Sequence, residues 1–502
     1  MTNIILFIVD NMCPWPLGCY GNPDAYTPNL DRMAAQGIQF NNFYCANALC
    51  SPARASLLTG LMPSAHGIHT PLPDTEERYP QGWNAIEEFE TLPKVLKANG
   101  YNTAMIGKYH LGDFPTKTAQ GGFDYWSVKS GGHTRDFWHN EYYEDGERHE
   151  YNGHATELWT QKALNYLHNI ADDENPFFMV VSYNPPYGTS QCLDYEINGE
   201  YKNPFWERFE HKKIGSIPKE PVANSAIKFG MTLSNLFGGT PAFLQSRNFM
   251  EDIRSINNLP RYRNLFSQIS YLDDGIGRIL LALQKLGLDQ ETIVLFTADH
   301  GHSYGQNGIW GTGWHTLPGN GHRYSWNIPL IMRYPGYITP GQETDLMVMQ
   351  TDLFSTLLDL VKAEYAPNAL SPGTSLAPLL RGERLEGNFD TVYYEMHETR
   401  AMRTREWLYV KHFDPQYENE LFDLMRDPGE HRNVIANPAH AAILAEMDVA
   451  LTKFFDDHAA PEYDVWQGGT MKASVIPDID EAPFKAAYGH NWQPIFPEVT
   501  PK

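Results

Sequence analysis

The chain has 502 residues, 42% of them hydrophobic, and a formal net charge of −23 at pH 7. This length is sufficient for one large domain and a smaller one, each with a buried core. The acidic balance excludes nucleic acid and anionic membranes as main partners, so an anionic substrate would need a local cluster of lysine and arginine.

The cysteines indicate neither a disulfide framework nor a paired zinc motif, because they are few and irregularly spaced. They are Cys13, Cys19, Cys45, Cys50 and Cys192. The chain runs from Met1 into an apolar stretch without the basic segment and cleavage site of a signal peptide, and no apolar run reaches transmembrane length. We therefore expect no membrane partner and a cytoplasmic location, or a periplasmic one if a leader has been removed.

Apolar runs that end in polar residues predict the strands of a parallel sheet. These strands are Ile4–Val9 before Asp10-Asn11, Thr103–Ile106 before Lys108 and His110, Phe177–Val181 before Ser182–Tyr187, and Thr292–Phe296 before Asp299-His300. Helical stretches such as Leu92–Asn99 and Leu265–Leu286 separate them and predict an α/β domain. One polar residue after a strand is usually only part of a loop. Because ligands bind beyond the carboxyl ends of such strands, four polar ends together predict one shared site.

The stretch from Cys50 to Gly60 reads as a short helix. Ser51 suits the N-cap, Pro52 the first helical position, and Gly60 the residue just after the end. Cys50 would then lie at the helix N-terminus, where free N–H groups favour negative charge, and Arg54 could share its face. Taken alone, a cysteine before a helix is more often an ordinary buried residue.

The pattern Cys50-x-Pro52-x-Arg54, continued to Gly60, resembles the signature of the formylglycine-dependent sulfatases of the alkaline phosphatase superfamily. Other stretches look like further motifs of that family, and the resemblance covers most of the chain. They are Gly18–Asn22, Thr27–Asp31, Gly107–Gly112, Tyr271–Asp274, Asp299-His300 and Thr351–Leu358. The resemblance implies a large alkaline-phosphatase-like α/β domain, with a mainly parallel sheet flanked by helices, which we place at residues 1–385.

After Asp390 the chain changes character, and short runs predict antiparallel strands. This part is similar to the smaller C-terminal subdomain of sulfatases, which we place at residues 386–460. Residues 461–502 begin at Pro461 in a Pro- and acid-rich segment and look like an extended arm, a candidate contact in a homo-oligomer.

The resemblance implies that a formylglycine-generating or maturase enzyme oxidises Cys50 to an aldehyde, whose hydrate is the nucleophile. Arg54 would hold the hydrate, Lys108 would bind the sulfate, and His110 would orient the hydrate or assist its collapse. A geminal diol suits this task because one hydroxyl attacks sulfur and the other later expels sulfate as the aldehyde re-forms. A thiolate has no comparable release route.

A divalent cation is expected at the pairs Asp10-Asn11 and Asp299-His300, where the resemblance places the family's metal ligands. The three oxygen-bearing side chains suit Ca²⁺. The nitrogen of His300 is accepted more readily by Mn²⁺ or Zn²⁺, so Ca²⁺ is preferred and Mn²⁺ is the alternative. His300 could instead hydrogen-bond the ester oxygen.

Two positions depart from the family pattern. Sulfatases commonly carry a histidine where this chain has Tyr187, and a lysine in the loop where this chain has Gly311–His315. We predict that His315 takes over the catalytic role, and that Tyr187 and His322 contact the substrate. Arg323 is a further candidate.

The first predicted function is metal-dependent hydrolysis of a sulfate monoester, either an aryl sulfate or a sulfated carbohydrate, with release of inorganic sulfate. The alternative is a phosphonate monoester or phosphodiester hydrolase with the same nucleophile. A non-catalytic protein that binds sulfated glycans is disfavoured, because Cys50, Arg54, Lys108 and His110 are all retained. Aromatic residues such as Tyr201 could stack on an aryl ring or a sugar, or form local core.

Overall fold

The computed structural model describes residues 2–72, 83–112, 121–134, 136–144, 146–199, 201–236, 249–387, 389–396 and 398–472. Most of the predicted C-terminal arm, from residue 473 onward, lies outside these residues, and the predicted domain boundaries stay predictions.

The described strands are β1 (Asn3–Val9), β2 (Ile38–Tyr44), β3 (Asn102–Gly107), β4 (Tyr125–Lys129), β5 (His139–Glu144), β6 (Glu147–Asn152), β7 (Phe177–Tyr183), β8 (Thr292–Ala298), β9 (Ser303–Tyr304), β10 (Trp310–Gly311), β11 (Asn327–Arg333), β12 (Gln342–Met349), β13 (Thr391–Met396), β14 (Thr399–Thr404), β15 (Trp407–His412) and β16 (Glu420–Asp423). The described α-helices are α1 (Pro28–Ala35), α2 (Cys50–Thr59), α3 (Pro63–His66), α4 (Leu92–Ala98), α5 (Ala155–Ile170), α6 (Ser190–Asn198), α7 (Trp206–Phe209), α8 (Asn224–Leu236), α9 (Phe249–Ile253), α10 (Leu259–Lys285), α11 (Arg323–Trp326), α12 (Asp352–Val361), α13 (Ala377–Leu380) and α14 (Ala441–His458). Short 3₁₀ helices lie at Asp289–Glu291, Gln306–Gly308, Pro438–His440 and Val465–Gln467. None of the helices in the described ranges is long and apolar enough to cross a bilayer.

A ten-stranded sheet forms the centre of the larger part, in the order β12-β2-β11-β8-β1-β7-β3-β4-β5-β6. Its middle strands, from β8 to β4, run parallel, whereas β11 and the β5–β6 hairpin run antiparallel to their neighbours. Every residue of β1, β7 and β8 is buried, as expected of strands covered on both faces. Helices pack on this sheet, α5 against β7 among them. The predicted α/β class is confirmed.

The register of the middle strands brings their carboxyl ends level. Val9 at the end of β1 pairs with Tyr183 of β7 and with Ala298 of β8, and Gly107 of β3 pairs with Ser182. The residues that follow these strands therefore meet at one edge of the sheet, where open α/β sheets bind ligands.

Helix α2 presents Cys50 to that edge. The helix begins at Cys50 with the extended Leu49 as its N-cap, so the prediction of Ser51 as the N-cap is wrong. The Ser51 hydroxyl lies inside the helix and accepts a hydrogen bond from the Leu72 backbone N–H at 3.0 Å. Gly60 ends the helix at φ 70°, a conformation that favours glycine, as predicted.

The C-terminal part contains the predicted small antiparallel sheet, in the order β13-β14-β15-β16, and α14 packs against β14 and β15. A buried ionic cluster joins it to the larger part. Arg400 donates to Glu395 at 2.6 Å and to Asp464 at 2.7 Å, and Glu395 accepts from the Ser64 backbone N–H of α3 at 2.7 Å.

Candidate active site

Oppositely charged side chains meet at the carboxyl ends of β1, β3 and β8. Asp10, Lys108 and Asp299 are all completely buried. Main-chain hydrogen bonds hold them in place, because the Asp299 N–H donates to the Val9 carbonyl and the Lys108 N–H donates to the Ser182 carbonyl. Buried charges are tolerated only when they are paired, so this arrangement requires compensating contacts.

Arg54 supplies one of those contacts from α2. Its Nε and Nη2 donate to one carboxylate oxygen of Asp299 at 3.1 and 2.9 Å. Its Nη1 donates to the Lys108 carbonyl and to Ser182 Oγ, both at 2.7 Å. The guanidinium therefore ties α2 to three strands of the sheet.

Lys108 supplies the other contact. Its ammonium lies 2.6 Å from Asp10 Oδ2, and both side chains are fully buried. Burial and the neighbouring Asp299 raise the pKa of Asp10 to about 7. Burial opposes ionisation of Asp299 as well, but His300 and Arg54 outweigh it and hold the pKa of Asp299 below its usual range. Two acidic and two basic side chains, Asp10, Asp299, Arg54 and Lys108, thus share one buried pocket.

Cys50 opens onto this pocket. Its Sγ lies 3.3 Å from His300 Nε2, 3.6 Å from Asp10 Oδ1 and 4.0 Å from Asn11 Oδ1. Burial, reinforced by Asp10, raises the pKa of the Cys50 thiol to about 12. The unmodified side chain is therefore a neutral thiol, and a neutral thiol is a weak nucleophile.

The donor set fits a divalent cation. Ligand atoms of Asp10, Cys50, Asp299 and His300 all lie within 4.8 Å of one another. The Nδ1 of His300 lies 2.9 Å from the Gly301 carbonyl, which only accepts, so Nδ1 carries the proton and the Nε2 lone pair faces the pocket. Burial lowers the pKa of His300, which keeps the imidazole neutral as a metal ligand must be.

Asn11 is held at the same place by its backbone. It adopts a φ of 59°, a left-handed conformation that asparagine tolerates better than most residues. Its N–H donates to Asp299 Oδ1 at 3.1 Å, and its carbonyl accepts from the Tyr304 hydroxyl at 2.6 Å. The side-chain oxygen is thereby kept close to Cys50.

The Sulfatase family model matches residues 2–363, a range that contains every member of this pocket. The chain belongs to the sulfatase family. It is accordingly a sulfuric ester hydrolase. A second model, N-sulphoglucosamine sulphohydrolase, C-terminal, matches residues 321–457, which include the small antiparallel sheet.

Individual relatives agree with the family. The sulfatase is 27% identical over 492 residues to the N-acetylglucosamine-6-O-sulfatase of Bacteroides thetaiotaomicron, covering 88% of this chain and 83% of that protein. A solved structure in complex with D-glucosamine-2-N,6-O-disulfate superposes with a TM-score of 0.69 at 25% identity, covering 92% of this chain and 99% of that one. The phosphonate monoester hydrolase of Agrobacterium radiobacter shares the fold alone, with a TM-score of 0.67 at 20% identity over 91% of this chain and 96% of that one.

Tyr187 and His110 lie beside the pocket of the sulfatase. Tyr187 is buried in a cluster with Cys50 and Phe137, and the Lys108 ammonium lies 5.2 Å from its ring centre. His110 Nε2 lies 2.9 Å from the Leu72 carbonyl, and its ring packs edge-on against His133. Their predicted roles in binding and catalysis stay predictions.

His315 and His322 lie further out. His315 Nδ1 accepts from the Thr312 backbone N–H at 3.0 Å. Burial lowers the pKa of His302, and the charges of His315 and His300 lower it further. His322 Nδ1 lies 3.1 Å from Glu430 Oε2. Within the described residues, His322 makes no hydrogen bond to a residue of the pocket. The predicted catalytic role of His315 and the predicted substrate contact of His322 stay predictions.

Supporting residues were missed at the sequence level. Gln350 donates from Nε2 to the Asp299 carbonyl at 2.9 Å, and the buried Phe137 packs beside Cys50. The Tyr304 hydroxyl holds Asn11, and His302 lies two residues after His300. His302 and Gln350 could have been found by inspection, because they lie next to the motifs Asp299-His300 and Thr351–Leu358.

Proposed function

We propose that this sulfatase hydrolyses a sulfate ester of a carbohydrate hydroxyl. The nucleophile would be formylglycine made from Cys50, and a divalent cation, Ca²⁺ by preference, would be held by Asp10, Asn11, Asp299 and His300. The observation that carries the proposal is the position of Cys50, at the N-terminus of α2 and within 4.0 Å of three of those side chains.

The proposal of a carbohydrate sulfate ester as the substrate rests on the names of the similar proteins and structures. One is named an N-acetylglucosamine-6-O-sulfatase, and one neighbouring structure holds a sulfated glucosamine. The likeness to a phosphonate monoester hydrolase is one of fold alone, so it gives the phosphorus reaction less support.

The charges of the pocket suit a sulfate group. When bound, the cation would supply Lewis-acid neutralisation of charge on the sulfate oxygens. Lys108 places a buried ammonium beside Asp10, where it can contact the same anion. Arg54 fixes Asp299 and the end of α2, so its effect is to hold the donors in one geometry.

Modification of Cys50 overcomes the weakness of its thiol. One hydroxyl of the hydrated aldehyde loses its proton and attacks sulfur, the bond from sulfur to the sugar oxygen breaks, and the sugar oxygen takes up a proton. The second hydroxyl then loses its proton, and the carbon–oxygen bond to sulfate breaks as the aldehyde re-forms. Water hydrates the aldehyde for the next cycle. His315 is our proposed source of the proton for the sugar oxygen.

Sulfate release from N-acetylglucosamine-6-sulfate tests the proposal, with a matched phosphonate ester as the competing substrate. Protein made in a host that forms formylglycine should release sulfate, and Cys50→Ala should lose turnover while it unfolds at the same temperature. Cys19→Ala is the matched control, because Cys19 lies partly exposed outside the pocket. Faster turnover of the phosphonate, or near-normal activity of Cys50→Ala, would contradict the proposal.

A further inference from the structure

Glu196 of α6 carries a completely buried carboxylate outside the catalytic pocket. Its Oε1 accepts a hydrogen bond from Trp138 Nε1 at 2.9 Å. Its Oε2 accepts from Asn203 Nδ2 at 3.1 Å and also from Gln268 Nε2. These three donors lie on the loop before β5, on the segment after α6 and on α10. Glu196 is therefore the point at which α6 is joined to three other parts of the chain.

The main chain fixes the direction of the hydrogen bonds around Glu196. The Thr156 N–H donates to His154 Nδ1 at 3.2 Å, so the proton of the neutral His154 ring is on Nε2. This Nε2 lies 2.8 Å from Gln268 Oε1 and donates to it, which leaves the amide nitrogen of Gln268 to face Glu196. Both carboxylate oxygens of Glu196 thus meet N–H donors, and a carboxylate, which only accepts, matches them.

The buried charge of Glu196 is costly, because no lysine or arginine among the described residues pairs with its carboxylate. Lys202 donates to the main-chain carbonyl of Glu196 instead, and His154, 3.7 Å from Oε1, is neutral because burial lowers its pKa to about 3. Burial raises the pKa of Glu196 to about 7, although the hydrogen bonds to its carboxylate lower it. A glutamine of the same shape would avoid this cost but would offer one acceptor oxygen in place of two. Only the carboxylate accepts from all three donors at once.

The elements joined by Glu196 also form an apolar wall beside the catalytic pocket. Phe137 packs in one buried cluster with Cys50 and Cys192, and its chain neighbour Trp138 packs against that cluster. Cys192 lies four residues before Glu196 on α6, so the two side chains share a face of the helix. The hydrogen bond between Trp138 and Glu196 therefore holds the loop and α6 together behind the wall that adjoins Cys50.

We infer that Glu196 is a positioning residue for the hydrolysis, which acts through Trp138 and the apolar wall to keep the side chain made from Cys50 in its reactive orientation. The inference goes beyond the proposed function but rests on it for the role of Cys50 as the nucleophile. Hydrogen bonds from the N–H groups of Gly153 and Ala155 already hold the main chain of the loop. What Glu196 adds is the position of the indole ring and of α6.

The test is a double-mutant cycle between Glu196→Gln and Trp138→Phe, in protein made in a host that forms formylglycine. The first change keeps the shape of the side chain and removes its charge, and the second keeps an aromatic ring and removes the Nε1–H. Each should lower kcat by about tenfold, because a displaced nucleophile slows the chemical step. KM should stay nearly unchanged, since neither side chain binds the substrate. The double variant should also lose about tenfold, not about a hundredfold, because both changes break the same contact.

Asp273→Asn is the matched control. Asp273 is 1% exposed, burial raises its pKa to about 7, and it accepts hydrogen bonds from the N–H groups of Asn29 and Leu30. It is thus a buried carboxylate of the same kind as Glu196, but it holds α1 and not the apolar wall. Asp273→Asn should keep its kcat even where it lowers the unfolding temperature. All variants are assayed at pH 8 with two substrates, N-acetylglucosamine-6-sulfate and 4-nitrophenyl sulfate.

The inference and the proposed function fail in different ways. Losses that multiply in the double variant, a normal kcat in either single variant, or an equal fall in kcat for Asp273→Asn would overturn the inference. If Glu196→Gln does not fold, Trp138→Phe decides it by the same fall in kcat or its absence. Turnover of the aryl ester alone would overturn the carbohydrate substrate, and the cycle is then measured with that ester. If the wild type releases sulfate from neither ester, the proposed function falls. A crystal structure of Glu196→Gln then decides the inference: displacement of Phe137 or Cys192 from Cys50 supports it, and an unmoved wall overturns it.

Discussion

Replacing Arg54 by lysine should distinguish the contribution of its hydrogen-bond geometry from the contribution of its positive charge. Arg54→Lys keeps the positive charge beside Asp299 but loses the planar fork that reaches Asp299, Lys108 and Ser182 at once. A single ammonium cannot satisfy all of these acceptors, so we expect two to three buried hydrogen bonds to be lost. At about 1 kcal/mol each, the loss in unfolding free energy is about 2–3 kcal/mol.

The effect on turnover should be larger than stability alone explains. Because Asp299 and the end of α2 are positioned through Arg54, we expect kcat/KM for sulfate release to fall by about 100-fold, which corresponds to about 2.7 kcal/mol. Arg333→Lys is the matched control. Arg333 makes two hydrogen bonds of 2.8 Å to Asp289 and pairs with Val294 of β8, at the strand end opposite to the pocket.

Both variants are assayed for thermal unfolding and for sulfate release under conditions where each is folded. The control should lose stability and keep its kcat/KM. The reasoning would be refuted if Arg54→Lys lost stability but kept turnover, or if Arg333→Lys lost as much activity as Arg54→Lys.

Two further predictions concern the cation and pH. Chelation should abolish sulfate release, and Ca²⁺ should restore it better than Zn²⁺; restoration by Zn²⁺ alone would contradict this. Asp299→Asn should weaken Ca²⁺ binding, measured by calorimetry, by more than about tenfold, because loss of a residue that only supports a metal ligand already lowers metal affinity by about that factor. Burial opposes ionisation of Glu430, but Arg403 and His322 lower its pKa from the usual 4.5 to about 2. Glu430 therefore contributes stability above pH 4.5 that is lost as pH falls toward 2, and Glu430→Gln should cost about 3 kcal/mol at pH 7. Urea unfolding should show this difference narrowing below pH 4.5, and a difference that stays constant down to pH 2 would contradict it.

The sequence pattern was sufficient to predict the middle strands of the sheet and to group the residues of the pocket. Each of β1, β3, β7 and β8 is an apolar run that ends in polar residues, and parallel strands bring those ends to one edge. Hence Asp10, Lys108 and Asp299 could be grouped before any contact was known. The antiparallel β11 inserted beside β8 was not foreseen, because a buried apolar strand carries no sign of its direction.

Contacts between distant parts of the chain could not be predicted in the same way. Ser51 was predicted as the N-cap, but its hydroxyl accepts a hydrogen bond from the Leu72 backbone N–H. His322 is engaged by Glu430, more than a hundred residues later, and Phe137 reaches Cys50 from a loop without a recognisable motif. Such pairs depend on how separate elements dock, and local sequence does not encode that docking.

The most direct test of the central claim is the mass of the peptide that contains Cys50, taken from active protein made in its native host. The account predicts the mass of the aldehyde in place of the thiol, in proportion to the sulfatase activity of each preparation. An unmodified Cys50 in fully active protein would contradict it, because the buried thiol itself would then have to carry the chemistry.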